Sequence, residues 1–175
     1  LGFLDGDDAV VGDLVHGVGD EGADFLVVGG DGRNAGDVFL AVDLVGGFDD
    51  ALDGDGDRVI FCDSEGGVVN GDRIIGLCAL DYKEKGKLTG NTVVVTSMSN
   101  MGLCKAMEKA GINVEITAVG DRYVIEKMRE HGHNLGGEQS GHLIFMDYAT
   151  TGDGIIAALH VLKLMIEKRK TLKEL

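Results

Sequence analysis

The chain has 175 residues, 29 of them Gly, with no Pro or Trp, 44% hydrophobic residues and a formal net charge of −14. That length is enough for one domain with its own core, or for a domain joined to part of another. The acid excess argues against a nucleic-acid or anionic-membrane partner, and no apolar run is long enough to span a bilayer.

The first fifty residues differ from the rest. They hold 12 acids and one base, Arg33, whereas residues 51–175 hold 18 acids and 15 bases. Gly, Asp, Val, Ala and Glu, which share a first codon base, make up 37 of the 50. This composition suggests a misread or antisense stretch joined to a genuine reading frame, and predicts a solvated or poorly ordered segment without a site. Phe25–Val28 and Val38–Val42 are candidate strands bounded by Gly-Asp turns. The start, LGFLDGDD, lacks the basic end and apolar stretch of a secretory leader. Cys62, Cys78 and Cys104 match no metal or disulfide framework and point to a reducing compartment.

From about residue 52 the pattern is an alternation of strands and helices. Arg58 to Asp63 reads as a buried strand, and Ser64-Glu65-Gly66-Gly67 as a turn. Asp72 to Leu80 carries Ile74, Ile75 and Cys78 at helical spacing. Thr92 to Thr96 is a β-branched run, the strongest strand signal of the chain. Ser99 or Asn100 is placed to cap a helix whose core face is Leu103, Ala106, Met107 and Ala110, with Gly111 ending it. Ile112 to Thr117 reads as a strand. Asp121 starts a helix that turns Val124, Ile125 and Met128 inward and ends at Gly132. His142 to Met146 reads as another strand. Asp153 opens a long helix with Ile155, Ala158, Leu159, Leu162, Met165 and Ile166 on one stripe and a basic end. Such an order predicts a layered α/β domain with a mostly parallel or mixed sheet.

Two loops carry candidate chemistry. Asp53, Asp55 and Asp57 alternate with Gly54 and Gly56, so a pliant backbone lets three carboxylates converge. Their repulsion calls for a divalent cation, and oxygen-only ligands favour Mg²⁺ or Ca²⁺. Arg58 follows, a planar cation suited to a phosphate. An EF-hand beginning at Asp53 fails, because its sixth and twelfth places hold Arg58 and Ser64 rather than Gly and Glu. A haloacid-dehalogenase-type phosphatase fails because Asp55 is followed by Gly56-Asp57, and a solvated turn without ligand stays as an alternative. The second loop, Gly136 to His142, offers Glu138, Ser140 and His142 between glycines, a set suited to sugar hydroxyls and to proton transfer near neutral pH. His131 and His133 read as solvent residues at a helix end, and His160 as a plain member of the last helix.

DGDGDR (Asp53 to Arg58), VGDRYV (Val119 to Val124), GGEQSGH (Gly136 to His142) and TTGDG (Thr150 to Gly154) stand in the order and spacing of the α-D-phosphohexomutase family. The resemblance spans about residues 52–172 and is nearest the bacterial branch acting on glucosamine phosphates. It implies residues 51–70 as the metal-loop end of that family's second domain and 71–175 as its third, α/β domain. It further implies a cytoplasmic isomerase of four domains, interconverting glucosamine 6-phosphate and glucosamine 1-phosphate for cell-wall precursor synthesis. A phosphoserine gives its phosphoryl group to the sugar, and the resulting bisphosphate reorients and returns the other. By the same resemblance Mg²⁺ is held by Asp53, Asp55 and Asp57, and Arg58 contacts the transferring group. Glu138 and Ser140 grip sugar hydroxyls, and His142 orients or shuttles a proton near the reacting centre. A phosphomannomutase or phosphoglucomutase, or a metal-binding α/β module without catalysis, stay as alternatives.

The family's phosphoserine loop, of Ser-His-Asn-Pro type, cannot lie in a chain with no Pro and no Ser before Ser64. Its Arg-x-Ser-Gly-Thr-Glu phosphate loop is also absent. The partners implied are a sugar phosphate and the remaining domains of the parent enzyme, and the chain alone is expected to be inactive.

Overall fold

The structure is a computed structural model that describes the backbone of residues 15–18, 24–29, 38–43 and 49–51 and all atoms of residues 52–63 and 67–175. Ser64 to Gly66 of the expected turn Ser64 to Gly67, and most of the first fifty residues expected to be solvated or poorly ordered, lie outside the described residues.

Six strands form an antiparallel meander in chain order: β1 (Val15–Val18), β2 (Asp24–Gly29), β3 (Val38–Asp43), β4 (Asp49–Leu52), β5 (Val59–Cys62) and β6 (Val68–Val69). β2 and β3 contain the two apolar runs singled out in the sequence. Leu52 pairs with Val59 across β4 and β5, so Asp53 to Arg58 is the loop of a hairpin whose two ends are fixed by the sheet.

The second sheet has the order β10-β9-β7-β8, with β7 (Thr92–Thr96), β8 (Asn113–Thr117), β9 (Leu135–Gly137) and β10 (Leu143–Phe145). β7 runs parallel to both β8 and β9, and β10 closes back antiparallel on β9. Four helices flank it: α1 (Gly71–Glu84), α2 (Met101–Lys109), α3 (Asp121–His131) and α4 (Gly154–Lys168). The mixed sheet and alternating helices are those expected of a layered α/β domain.

β7 shows why its sequence is a continuous apolar run. Val93 and Val95 pack into a core with Ile74, Ile75 and Cys78 of α1, Leu103 and Met107 of α2, and Val161 of α4. Val94 points the other way, against Val124 and Met128 of α3. A strand covered on both faces gains by burying every side chain, so the alternation of a half-exposed strand disappears. The first core also takes in Val59 and Phe61 of β5, which ties the hairpin to the α/β layers.

The helix ends follow local chemistry. Asn70 caps α1, its Oδ1 accepting from Asp72 N–H at 2.8 Å. Asn100 rather than Ser99 caps α2, its Oδ1 accepting from Leu103 N–H at 2.9 Å, while its own N–H and Nδ2 donate to the buried Asp72 Oδ2 at 2.8 and 2.9 Å. Gly132 ends α3 in the left-handed region, and Asp153 caps α4 through Ile156 N–H at 2.9 Å.

The expected stripe of α4 is corrected. Gly154, Ala157, Ala158, Val161 and Leu164 are its buried residues and Leu162 and Met165 pack half-buried on the core, so Ala158, Leu162 and Met165 of the expected stripe face inward, whereas Ile155, Leu159 and Ile166 are exposed. The helix is apolar on most of its circumference, so its periodicity fits more than one stripe and the neighbouring elements choose. His160 is half-buried, stacked on Phe145 with ring centroids 4.2 Å apart. Its Nδ1 bonds the Ile156 carbonyl at 3.0 Å and its Nε2 meets Tyr82 Oη at 3.1 Å.

Asn100→Ala should lower unfolding stability by about 1–2 kcal/mol in urea titrations, through the lost cap. Ser99→Ala should be close to neutral, because the Ser99 hydroxyl is buried without a partner. Burial holds His160 below its usual pKa, so the unfolded chain takes up a proton that the fold refuses. Stability should therefore be complete above about pH 6.5 and fall as the pH drops below it. His160→Gln should flatten that part of the stability–pH curve.

Candidate functional site

The hairpin ends bring the three aspartates together. Asp53, Asp55 and Asp57 each offer a carboxylate oxygen, all within 4.8 Å of one another. The loop is braced from inside: Gly56 N–H donates to Asp53 O at 3.0 Å, Asp53 N–H to Arg58 O at 3.3 Å, and Arg58 N–H to Asp53 Oδ1 at 3.1 Å. Asp55 is exposed, while Asp53 and Asp57 are partly covered.

Among the described residues, the loop's charge is not fully balanced. Asp57 Oδ1 is buried and has no hydrogen-bond partner among the described residues. Burial, a hydrogen bond to Asp53 and the charges of Asp53 and Asp55 push the Asp57 carboxyl above its usual range, against an opposing pull from His142. The Arg58 guanidinium stands 3.8 Å from Asp53 and 4.0 Å from Asp57 and is half exposed, a loose pairing that leaves most of its donors to solvent. Converging, under-compensated oxygens of this kind suit a hard divalent cation.

The second loop is packed onto the first. β9 ends at Gly137 and β10 begins at Leu143, with Glu138 N–H donating to His142 O at 2.9 Å and Gly141 N–H to Glu138 O at 3.1 Å. Val59 N–H, just after the acidic loop, donates to Gly141 O at 3.1 Å. Gly141 has φ +92°, and a β-carbon there would lie 2.2 Å from the Val59 carbonyl oxygen, so only glycine permits this approach. Gly71 N–H at the start of α1 donates to Gln139 O at 3.1 Å and anchors the loop from its other side.

Each candidate side chain has a distinct setting. Glu138 is half-buried and one of its oxygens accepts from Gly120 N–H at 2.9 Å, which links the loop to the start of α3 and leaves the other oxygen free of that bond. Ser140 is exposed at the tip. His142 is only 1% exposed, with Nδ1 3.3 Å from Asp57 Oδ2. The structure thus puts the imidazole behind the acidic loop, against one carboxylate, rather than at an open surface. Gly152 lies against that ring: a β-carbon at this position would sit 2.4 Å from it. Gly154 N–H donates to Gly56 O at 2.9 Å, so the segment before α4 also holds the acidic loop.

All four sequence motifs therefore meet. DGDGDR bears the carboxylates, TTGDG supports them from below, GGEQSGH lies beside them, and the glycine of VGDRYV holds Glu138. The sequence reading missed the supporting parts of Gly71, Gly120, Gly152 and Gly154, which no side-chain chemistry advertises. It also read His131 and His133 as solvent residues. The structure instead buries His133 and brings both rings onto Glu115 of β8.

Residues 70–175 match the family described as phosphoglucomutase/phosphomannomutase, alpha/beta/alpha domain III. Over 125 residues, 71% of this chain, the sequence is 59% identical to the phosphoglucosamine mutase of Bdellovibrio bacteriovorus, covering 27% of that protein. The chain thus spans about a quarter of the length of the curated relatives it matches. Among solved structures, a phosphoglucomutase/phosphomannomutase family protein from Burkholderia thailandensis superposes with TM-score 0.61 at 26% identity, over 66% of this chain and 25% of that one. An N-acetylphosphoglucosamine mutase from Aspergillus fumigatus, in complex with GlcNAc-6P and magnesium, shares the fold with TM-score 0.55 at 21% identity, over 71% of this chain and 31% of its own.

Gly141→Ala should separate the two loops. Backbone strain and the overlap with Val59 together should cost at least about 2 kcal/mol in urea unfolding.

Proposed function

The chain belongs to the phosphoglucomutase/phosphomannomutase family, and from that premise we propose that it carries the metal loop and third domain of a phosphoglucosamine mutase. The parent enzyme would interconvert glucosamine 6-phosphate and glucosamine 1-phosphate in the cytoplasm, supplying amino sugar for cell-wall precursors. The observation that carries this reading is the convergence of Asp53, Asp55 and Asp57 beside a glycine-framed loop bearing Glu138 and Ser140.

Phosphoryl transfer needs positioning and charge neutralisation more than covalent help. Asp53, Asp55 and Asp57 would hold Mg²⁺, which when bound neutralises charge on the transferring phosphoryl group. Arg58, loosely paired and half exposed, is free to turn its planar donors onto phosphoryl oxygens. The free oxygen of Glu138 and the exposed Ser140 hydroxyl would take sugar hydroxyls. His142, buried against Asp57, would orient that carboxylate; its burial favours this role over direct contact with sugar. The phosphoryl-donating serine and the clamp for the substrate's second phosphate would come from other domains of the parent enzyme.

The test is a graft. Residues 52–172, placed in the corresponding region of the Bdellovibrio enzyme, should preserve conversion of glucosamine 6-phosphate. Asp53→Asn, Asp55→Asn and Asp57→Asn together should reduce its kcat by at least about 100-fold. The 175-residue chain alone should show no conversion. A graft active only on mannose or glucose phosphates would reassign the substrate, and an inactive but folded graft would refute the proposal.

A further inference from the structure

Away from the acidic loop, the second sheet gathers a donor set of another chemistry. Glu115 lies in the middle of β8, on the strand at the edge of the sheet. His131 is the last residue of α3, and His133 follows the left-handed turn at Gly132, just before β9. One ligand atom of each lies within 4.8 Å of the others. His131 Nδ1 is 3.0 and 2.9 Å from the two Glu115 oxygens, and His133 Nε2 is 3.2 Å from Glu115 Oε1. The two rings meet edge to face, with centroids 5.6 Å apart.

The buried ring is preset for a ligand. His133 is 8% exposed, and its Nδ1 lies 3.4 Å from the Thr89 carbonyl oxygen. The Thr89 carbonyl and the Glu115 carboxylate both only accept, so the ring can donate to either; with an ion held at Nε2, the proton would stand on Nδ1 facing the carbonyl. This is the usual outer support of a metal-bound histidine, in which the second ring nitrogen donates to a carbonyl or carboxylate. Gly90 adds to the support, since a β-carbon there would lie 3.0 Å from the His133 ring. His131 and Glu115 are partly exposed, which gives an ion an entrance and leaves a coordination place for water.

We propose that Glu115, His131 and His133 form a second metal site, selective for a divalent transition ion such as zinc. Two imidazoles and one carboxylate suit zinc with water as fourth ligand, whereas Mg²⁺ prefers oxygen alone. The ion would join the edge strand β8, the end of α3 and the start of β9. β9 carries the sugar loop at its other end, so the clamp would brace the strand from which that loop springs.

The test uses the whole 175-residue chain in a background of Asp53→Asn, Asp55→Asn, Asp57→Asn and Cys104→Ser, which removes the acidic loop and the partly exposed thiol as ligands. Zinc at one hundred times its Kd should raise Tm by roughly 5–10 °C. Cobalt(II) should give visible d–d bands without thiolate charge transfer. Glu115→Gln and His131→Asn should each abolish both signals, and they spare the buried His133 should its replacement prevent folding. A zinc shift of equal size in those variants, a thiolate band, or no response in the folded background would overturn the proposal.

Discussion

The architecture depends on keeping like charges close. Three carboxylates with oxygens within 4.8 Å repel one another, and among the described residues nothing balances them fully: Arg58 pairs loosely and His142 reaches only one. Such an arrangement persists only where the surrounding structure over-determines it. Here the over-determination is backbone chemistry. The hairpin pairing of Leu52 with Val59, the bonds within the loop, and the N–H groups of Val59 and Gly154 fix the loop, with Asp53 Oδ1 the one side-chain atom among these bonds.

That fixation needs a rigid platform. The platform is the doubly covered sheet, where β7 buries Val93 and Val95 on one face and Val94 on the other. β9 lies parallel to β7 and ends in the loop bearing Glu138, so the packing of β7 sets the height of that loop. α4 closes the arrangement from the opposite side, and its capping residue, Asp153, lies between Gly152 and Gly154, the two glycines that touch His142 and the acidic loop. One stretch of chain thus caps a helix and supports a site.

The same sheet separates two kinds of polar cluster. The acidic trio is all oxygen and sits on a hairpin of the antiparallel sheet, while Glu115 and the two histidines gather where β8, α3 and β9 meet. Their donors differ in hardness, so cations held at the two places would be selected by chemistry rather than by size alone.

The sequence by itself determined most of the elements and the chemistry of the acidic loop. β7 was legible because β-branched residues fill it without a break, and the ends of α2, α3 and α4 because Asn100, Gly132 and Asp153 act on their own backbone neighbours. The trio Asp53, Asp55 and Asp57 was legible because close spacing forces proximity whatever the fold. Tertiary structure alone decided which face of α4 is buried, since Ile155 and Ala158 are both apolar and the larger of them is the exposed one. It also decided that His142 turns away from solvent onto Asp57, and that His133 reaches Glu115 18 residues earlier in the chain. Those contacts join residues far apart in sequence, and no local preference of a histidine or a glycine records the partner that the packed layers will place beside it.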